Sequence, residues 1–399
     1  MRYLSASYVF PVSSPPLKYG IICIDNDGRI VDIIDTDGKL EKRKKLEFYN
    51  GILVPGFVNA HCHLELSHLH NIIEPYCGLP EFISSIGMAR KSSRETIIKA
   101  AKSADEQMTK NGIVAVGDIS NNADTLDIKY NSKIRYQTFV ELFGLNGNRS
   151  KEIFAAGQNV KDEYDKAGMA ATLAPHAIYS LSPQLWEILH QSYKSSPPDV
   201  ISMHHQESGE EMNIYFEGKG ELADMFRKNG FFNNSIVPSK DILLQMMNCF
   251  LKTSRCLLVH NTFMNRSDFE RYIPNLDKFF FILCPASNLY IQNRLPNMQL
   301  FALPEFSQNT CLGADSLASN KNLSILEEMK IIQQRAPDIS LETLLRWATL
   351  NGAKALGFDS FCGSFEKGKT PGVNLITGID FNLMKLTSDS KTLMLSPDV

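Results

Sequence analysis

The sequence predicts an α/β fold, a (β/α)8 TIM-like barrel with a small β-sandwich domain formed by the N- and C-terminal segments. Three observations predict it. Short apolar runs recur eight times through the middle of the chain, with helix-like stretches between several of them. Turn-rich β segments flank that middle at both ends. Most of the histidines fall where the apolar runs stop.

The first fifty residues read as strands and turns. "YGIICIDNDGRIVDIID" holds two β-like runs around Asn26–Asp27–Gly28, a hairpin signal. A charged patch, "KLEKRKKLEF", follows. Near the other end, "CGSFEKGKTPGVNLITGID" and "NLMKLTSDSKTLML" again alternate short strands with turns. The two ends are expected to build one composite β domain, residues 1–52 and 361–399, around a barrel over 53–360.

Within that middle, the strand candidates are "GILVPGFV" (51–58), "GIVAVGDI" (112–119), "IRYQTFVEL" (134–142), "AATLAPHAI" (170–178), "DVISMHH" (199–205), "RCLLVHN" (255–261), "KFFFILCP" (278–285) and "TCLGAD" (310–315). Helices are expected at "SRETIIKAAKSADEQMTKN" (93–111) and "PSKDILLQMMNCFLK" (238–252). The polar stretch 209–235 reads as a long loop over the active face.

Composition narrows the class of function. At 43% hydrophobic and 21% charged residues, the chain is ordinary for a globular protein with a large core. A net charge of −3 gives no basic surface for nucleic acid, and no apolar run reaches membrane-spanning length. The eight cysteines are scattered without a C-x-x-C pair, as expected of reduced thiols in a cytoplasmic protein.

Of nine histidines, His61, His63, His176, His204 and His260 fall at or near strand ends, as does Asp315. In a parallel barrel all strand C-termini open on one face, so these residues converge although they are far apart in sequence. Imidazoles plus one carboxylate suit zinc or iron(II) with a position left for water. Each piece taken alone has a plainer use. His61 and His63 alternate onto one face with Cys62 opposite, which also fits ordinary pocket lining; Asp315 fits a helix cap. His205 should face away from His204, His68 and His70 lie in a loop, and His190 lies on a helix surface.

Together these segments resemble the amidohydrolase superfamily, above all its cytosine-deaminase-like and chlorohydrolase-like branch. "LVPGFVNAHCHLELS" resembles the first-strand signature, "LAPHAIYSLSPQL" the fourth-strand segment, and "HHQES" the H-x-x-E after strand five. "LLVHNT", "CPASNLYI", "LGADSLASN" and "SLETLLRWATLNGAKALGF" resemble the remaining segments in order. "HLELS" and "FVELFGL" are similar to aminodeoxyfutalosine and related aminopurine-nucleoside deaminases. Ala286 departs from the basic residue usual in that segment, and "GKTPGVNLITG" replaces an acidic pattern.

The resemblance implies one divalent metal, zinc or else iron(II), held by His61, His63, His204 and Asp315. It implies hydrolytic deamination of an amino-substituted heterocycle, a small-molecule substrate close to an aminopurine nucleoside. Asp315 would take the water proton, Glu207 would shuttle protons to the ring and the leaving amine, and His260 would orient the hydroxide. His176 would contact the substrate; Glu65 and Ser67 would touch it or order their own loop. Specificity is expected from residues 64–90 and 208–235, and a homodimer is the default assembly. No lysine stands in strand four to bridge a second metal. Glu141 keeps an N-acyl hydrolase of the same superfamily as the alternative. A binding-only barrel would lack an intact ligand set, and a nucleic-acid deaminase would carry P-C-x-x-C, absent here.

Overall fold

The chain opens with β1 (Arg2–Val9), β2 (Leu17–Lys18), β3 (Ile21–Ile24), β4 (Ile30–Ile34) and β5 (Leu46–Pro55). The computed structural model describes residues 1–40, 43–89, 91–230, 250 and 252–395. The expected hairpin forms: β3 and β4 pair antiparallel around Asn26–Asp27–Gly28. Gly28 sits at φ 72°, a left-handed value that favours glycine, and Asp25 Oδ1 accepts the N–H groups of Asp27 and Arg29.

Eight strands follow: β6 (Phe57–Cys62), β7 (Ile113–Ser120), β8 (Arg135–Leu142), β9 (Ala171–Pro175), β10 (Val200–His205), β11 (Arg255–His260), β12 (Phe279–Leu283) and β13 (Thr310–Leu312). They form two four-stranded parallel sheets in sequence order, β6 to β9 and β10 to β13. Backbone contacts run between the two sheets. Cys62 bridges Asp315 in parallel, and the N–H groups of Ala314 and Asp315 donate to the His61 carbonyl. On the other side, His204 N–H donates to the His176 carbonyl.

The last strands, β14 (Val373–Asp380) and β15 (Lys385–Met394), return to the N-terminal sheet. β14 pairs with β5, and β5 with β1, giving one seven-stranded sheet from both chain ends. Leu4, Ile22, Ile24, Leu53, Phe365 and Val373 form its own core cluster.

Two expectations need revision. The run 51–58 feeds two strands, because the chain changes sheets at Pro55–Gly56. A Cβ on Gly56 would lie 2.3 Å from Val114 Cγ1, so this crossing has no room for a side chain. The polar stretch read as a loop instead holds helices Gly209–Glu217 and Glu221–Lys228. Gly218 at φ 63° and Gly220 at φ 109° separate them, and Ile214, Tyr215, Leu222 and Phe226 bury one side. Residues 231–235 lie outside the described residues, as does the helix expected over 238–252 apart from residues 250 and 252. The helix expected over 93–111 is present as Arg94–Lys110, with Ser93 as its cap.

Alternation sorts the parallel strands onto two faces. On β12, Phe280 and Ile282 join one cluster, while Phe279, Phe281 and Leu283 join the larger one shared with the helices. β11 divides the same way, Leu257 and Val259 against Cys256 and Leu258. Among the described residues no helix is long and apolar enough to cross a membrane.

Candidate active site

The site departs from strict alternation. On β11, continued alternation would send His260 out with Leu258. Instead His260 adopts φ 77° and Asn261 φ 56°. The turned backbone brings the His260 ring to 5.8 Å from that of His61 and 5.4 Å from that of His204. On β6, pairing with β7 slips between Asn59 and Cys62. Cys62 then packs into the larger apolar cluster, while His61 and His63 share the opposite side. Asp315 follows β13 at φ 55°, a third left-handed residue at the strand ends.

The donors converge tightly. His63 Nε2 lies 3.2 Å from His61 Nε2 and 3.3 Å from His204 Nε2. Asp315 Oδ1 lies 3.6 Å and 3.5 Å from the Nε2 atoms of His61 and His63. Donors about 2.1 Å from one ion at tetrahedral angles stand about 3.4 Å apart, so these spacings fit a shared cation. His204 Nδ1 meets the His176 carbonyl at 3.0 Å. A carbonyl only accepts, so Nδ1 carries the proton and Nε2 is left with its lone pair for a metal.

The electrostatics agree. Burial pushes His63 down to about 4 and His260 to about 3, and drives His204 well below its usual value, so all three are neutral at pH 7. Burial works against the Asp315 charge, but His61, His63 and His260 prevail and hold its carboxyl well below the usual range. Ser287 Oγ at 2.5 Å and Ser319 Oγ at 2.8 Å donate to Oδ2, leaving Oδ1 turned to the histidines. Among the described residues, His61, His63 and Asp315 form one group able to hold a metal, and His61, His204 and His260 another.

Glu207 follows β10 and sits 3.7 Å from His260 Nε2. Burial, with Asp315 and Glu211 nearby, pushes its carboxyl well above the usual range. Asn288 Nδ2 lies 3.2 Å from His260 Nδ1 and 2.8 Å from Thr262 Oγ1. Above this floor opens a cavity of about 310 Å³. His63, His176, His204, Glu207, His260 and Asp315 supply its polar wall. Leu79, Phe82, Ile83 and Ile86 of helix Gly78–Ala89 face it, joined by Phe143, Tyr179 and Phe226. A second cavity of about 790 Å³ shares Ile83, Glu141, Phe143 and Phe226 with the first.

The structure brings His61, His63, His176, His204, Glu207, His260 and Asp315 together. It places Glu65 and Ser67 elsewhere: both are buried and neither lines the cavity. Ser67 Oγ donates to the Leu64 carbonyl within its own turn, and Glu65 Oε2 accepts the Asn121 N–H just beyond β7. Glu141 also lines the cavity, and with His176 and His204 forms a third candidate metal group. The His204 edge that faces Glu141, Nδ1 at 3.8 Å, is already turned to the His176 carbonyl. Glu141 Oε2 accepts from Asn121 Nδ2 at 2.9 Å.

Sequence reasoning passed over Ser287 and Asn288, although both stand in "CPASN". It also passed over the cavity-facing helix, whose Leu79, Phe82, Ile83 and Ile86 keep i, i+3, i+4, i+7 spacing.

A ring of buried histidines and one carboxylate at parallel strand ends defines a metal-type hydrolase centre. A model of the amidohydrolase family matches residues 52–393, and the chain belongs to that family. It is an enzyme of the kind that hydrolyses carbon–nitrogen bonds other than peptide bonds. Adenosine deaminase of Helicobacter pylori is 27% identical over 362 residues, 88% of this chain and 85% of that protein. The 5-methylthioadenosine/S-adenosylhomocysteine deaminase of Saccharophagus degradans is 24% identical over 385 residues, 92% of this chain and 81% of that one. Among solved structures, H. pylori aminofutalosine deaminase in complex with methylthio-coformycin superposes with a TM-score of 0.80. It is 25% identical, with 94% of this chain and 92% of that one covered.

Proposed function

We propose that this chain is a deaminase with one divalent metal, zinc by its nitrogen-rich donor set, that hydrolyses the exocyclic amine of an aminopurine nucleoside. In this reading the two parallel sheets are the staves of one (β/α)8 barrel. Residues 1–52 and 361–399 form the small β-sandwich domain beside it. The carrying observation is the convergence of His61, His63, His204 and Asp315 beneath a cavity that also holds Glu207 and His260. The deaminases named above support the substrate class, and the methylthio-coformycin complex of one supports a nucleoside-shaped ligand. The seven described cysteines are unpaired and mostly buried, which supports a reducing, cytoplasmic setting.

His61, His63, His204 and Asp315 would hold the ion, which supplies Lewis acidity and makes hydroxide available at neutral pH. Asp315, steadied through Oδ2, presents Oδ1 to take the proton of the attacking water. Glu207 carries a proton at its carboxyl and gives it to a ring nitrogen. It would then take the remaining proton of the added hydroxyl as the carbonyl forms and deliver it to the departing amine, the proton held on Asp315 returning to Glu207 after ammonia leaves. Neutral His260, with Asn288 on Nδ1, orients the nucleophile through Nε2. The apolar helix wall excludes bulk water, and His176 meets the heterocycle at the cavity edge.

The test is a product screen on zinc-loaded protein with aminopurine nucleosides, pterins, aminopyrimidines, and N-acetylated sugars and amino acids. Ammonia from the nucleosides is expected. Acetate from the acetylated compounds, with no ammonia, would replace this reading by the N-acyl hydrolase.

A further inference from the structure

Glu211 is fully buried, lines neither cavity, and has no part in the steps above. Its position is nonetheless specific. Oε1 accepts the Gln206 N–H at 3.0 Å and Oε2 the Glu207 N–H at 2.7 Å. The Tyr215 phenol donates from Oη to Oε1 at 2.6 Å. Ser208 caps the following helix and accepts the Glu211 N–H at 3.1 Å. Ser208-x-x-Glu211 is therefore a capping-box pattern whose carboxylate reaches beyond the cap to the two preceding amides. Gln206 stands at φ 47°. Successive N–H groups around a left-handed residue make a concave anion nest, and this nest is filled by the protein's own carboxylate.

We propose that Glu211 is a positioning residue for Glu207, fixing the backbone amide of the proton carrier so that its carboxyl points into the cavity beside His260. The proposal rests on the deaminase reading for its kinetic consequence. The geometry favours positioning over simple helix capping for two reasons. A cap needs only the Ser208 amide, whereas Glu211 also takes the Gln206 N–H on Oε1 and the Glu207 N–H on Oε2. The left-handed Gln206 backbone presents its own N–H and that of Glu207 to the two Glu211 oxygens.

The test compares Glu211→Gln, Glu211→Asp, Glu207→Gln and the double variant Glu207→Gln/Glu211→Gln. Each is measured for kcat, KM, metal per chain and amide exchange over residues 203–212. Glu211→Gln should lose about 10²-fold in kcat, the scale of a misplaced general acid–base group, with metal content and KM little changed. Glu211→Asp, which keeps the charge on a shorter arm, should fall between Glu211→Gln and wild type. The double variant should turn over within about threefold of Glu207→Gln, because residues that act as a unit are not additive. The 206–208 amides should exchange at least about tenfold faster in Glu211→Gln, reflecting the lost nest. Near-normal kcat, losses that multiply in the double variant, or unchanged exchange would each overturn the proposal. A wild-type protein that releases no ammonia would count against the deaminase reading instead, and the exchange measurement would still decide the positioning. If Glu211→Gln does not fold, Glu211→Asp carries the same comparisons.

Discussion

Asp118 and Asp315 are two buried aspartates near the C-terminal ends of parallel strands, and the protein surrounds them in opposite ways. Asp118 lies two residues before the end of β7 with Lys129 Nζ 2.6 Å away, both side chains fully buried. Lys129 also donates to Ser120 Oγ at 2.8 Å and reaches Thr138 and Tyr164. Burial works to discharge Lys129, but Asp118 and Tyr164 prevail and hold its pKa above the usual value. Asp315, by contrast, faces the buried imidazoles of His61 and His63, and among the described residues no lysine or arginine pairs with it. A charge compensated within the chain builds a scaffold. A charge left among imidazole nitrogens builds a place for a cation. The scaffold serves the site directly, because Asp118 Oδ1 accepts the Leu64 N–H beside His63 at 2.7 Å. Glu328 shows a third solution. It accepts the Ala286 N–H and an Asn320 amide, and burial pushes it up to about 8, so a proton neutralises it.

The largest effect should come from exchanging the cation-seeking carboxylate. Asp315→Asn should lower activity by roughly 10⁴-fold, the scale of removing one member of a catalytic unit, and strip metal from the chain by elemental analysis. Full metal retention would erase the contrast with Asp118. Next, Lys129→Met strands a buried charge and should cost about 3–5 kcal/mol in urea unfolding. The double change Lys129→Met/Asp118→Leu should recover part of that loss; no recovery would mean packing, not charge, sets the cost.

A smaller effect is expected at Ser287→Ala, which removes a donor from Asp315 Oδ2. Metal affinity in a competition titration should weaken about 10- to 100-fold, as for other groups that orient a ligand. Unchanged affinity would mean that Ser319 alone holds the carboxylate. The smallest is a slope. Glu328 has a folded pKa raised from 4.5 to about 8, so the native state binds the extra proton between those values. Its contribution to stability is full at low pH and lost as pH rises through that window. Glu328→Gln should therefore gain on wild type as pH rises from 5 to 8; a flat difference would show that Glu328 is charged in the fold.

Much of this was legible beforehand, for physical reasons that differ by residue. The strands announced themselves as apolar runs, and His61, His63, His204 and Asp315 stood where those runs stop. Strand direction alone carries such residues to one rim. His260 was found by position, but its left-handed turn was not, because period-2 patterning has no term for a broken alternation. The helices within 209–228 hid behind two glycines and a polar face. The Lys129–Asp118 pair and the serines on Asp315 were out of reach, since neighbours across strands leave no trace in spacing. The split of 51–58 into β5 and β6 was signalled by Pro55–Gly56 and passed over.

The most direct test of the cation site is a zinc titration of metal-free protein, followed by ammonia release from an aminopurine nucleoside at each point. Expected is a linear rise that breaks at one zinc per chain and is abolished in Asp315→Asn. Ammonia release that is full before zinc is added, or that requires two ions per chain, would contradict it.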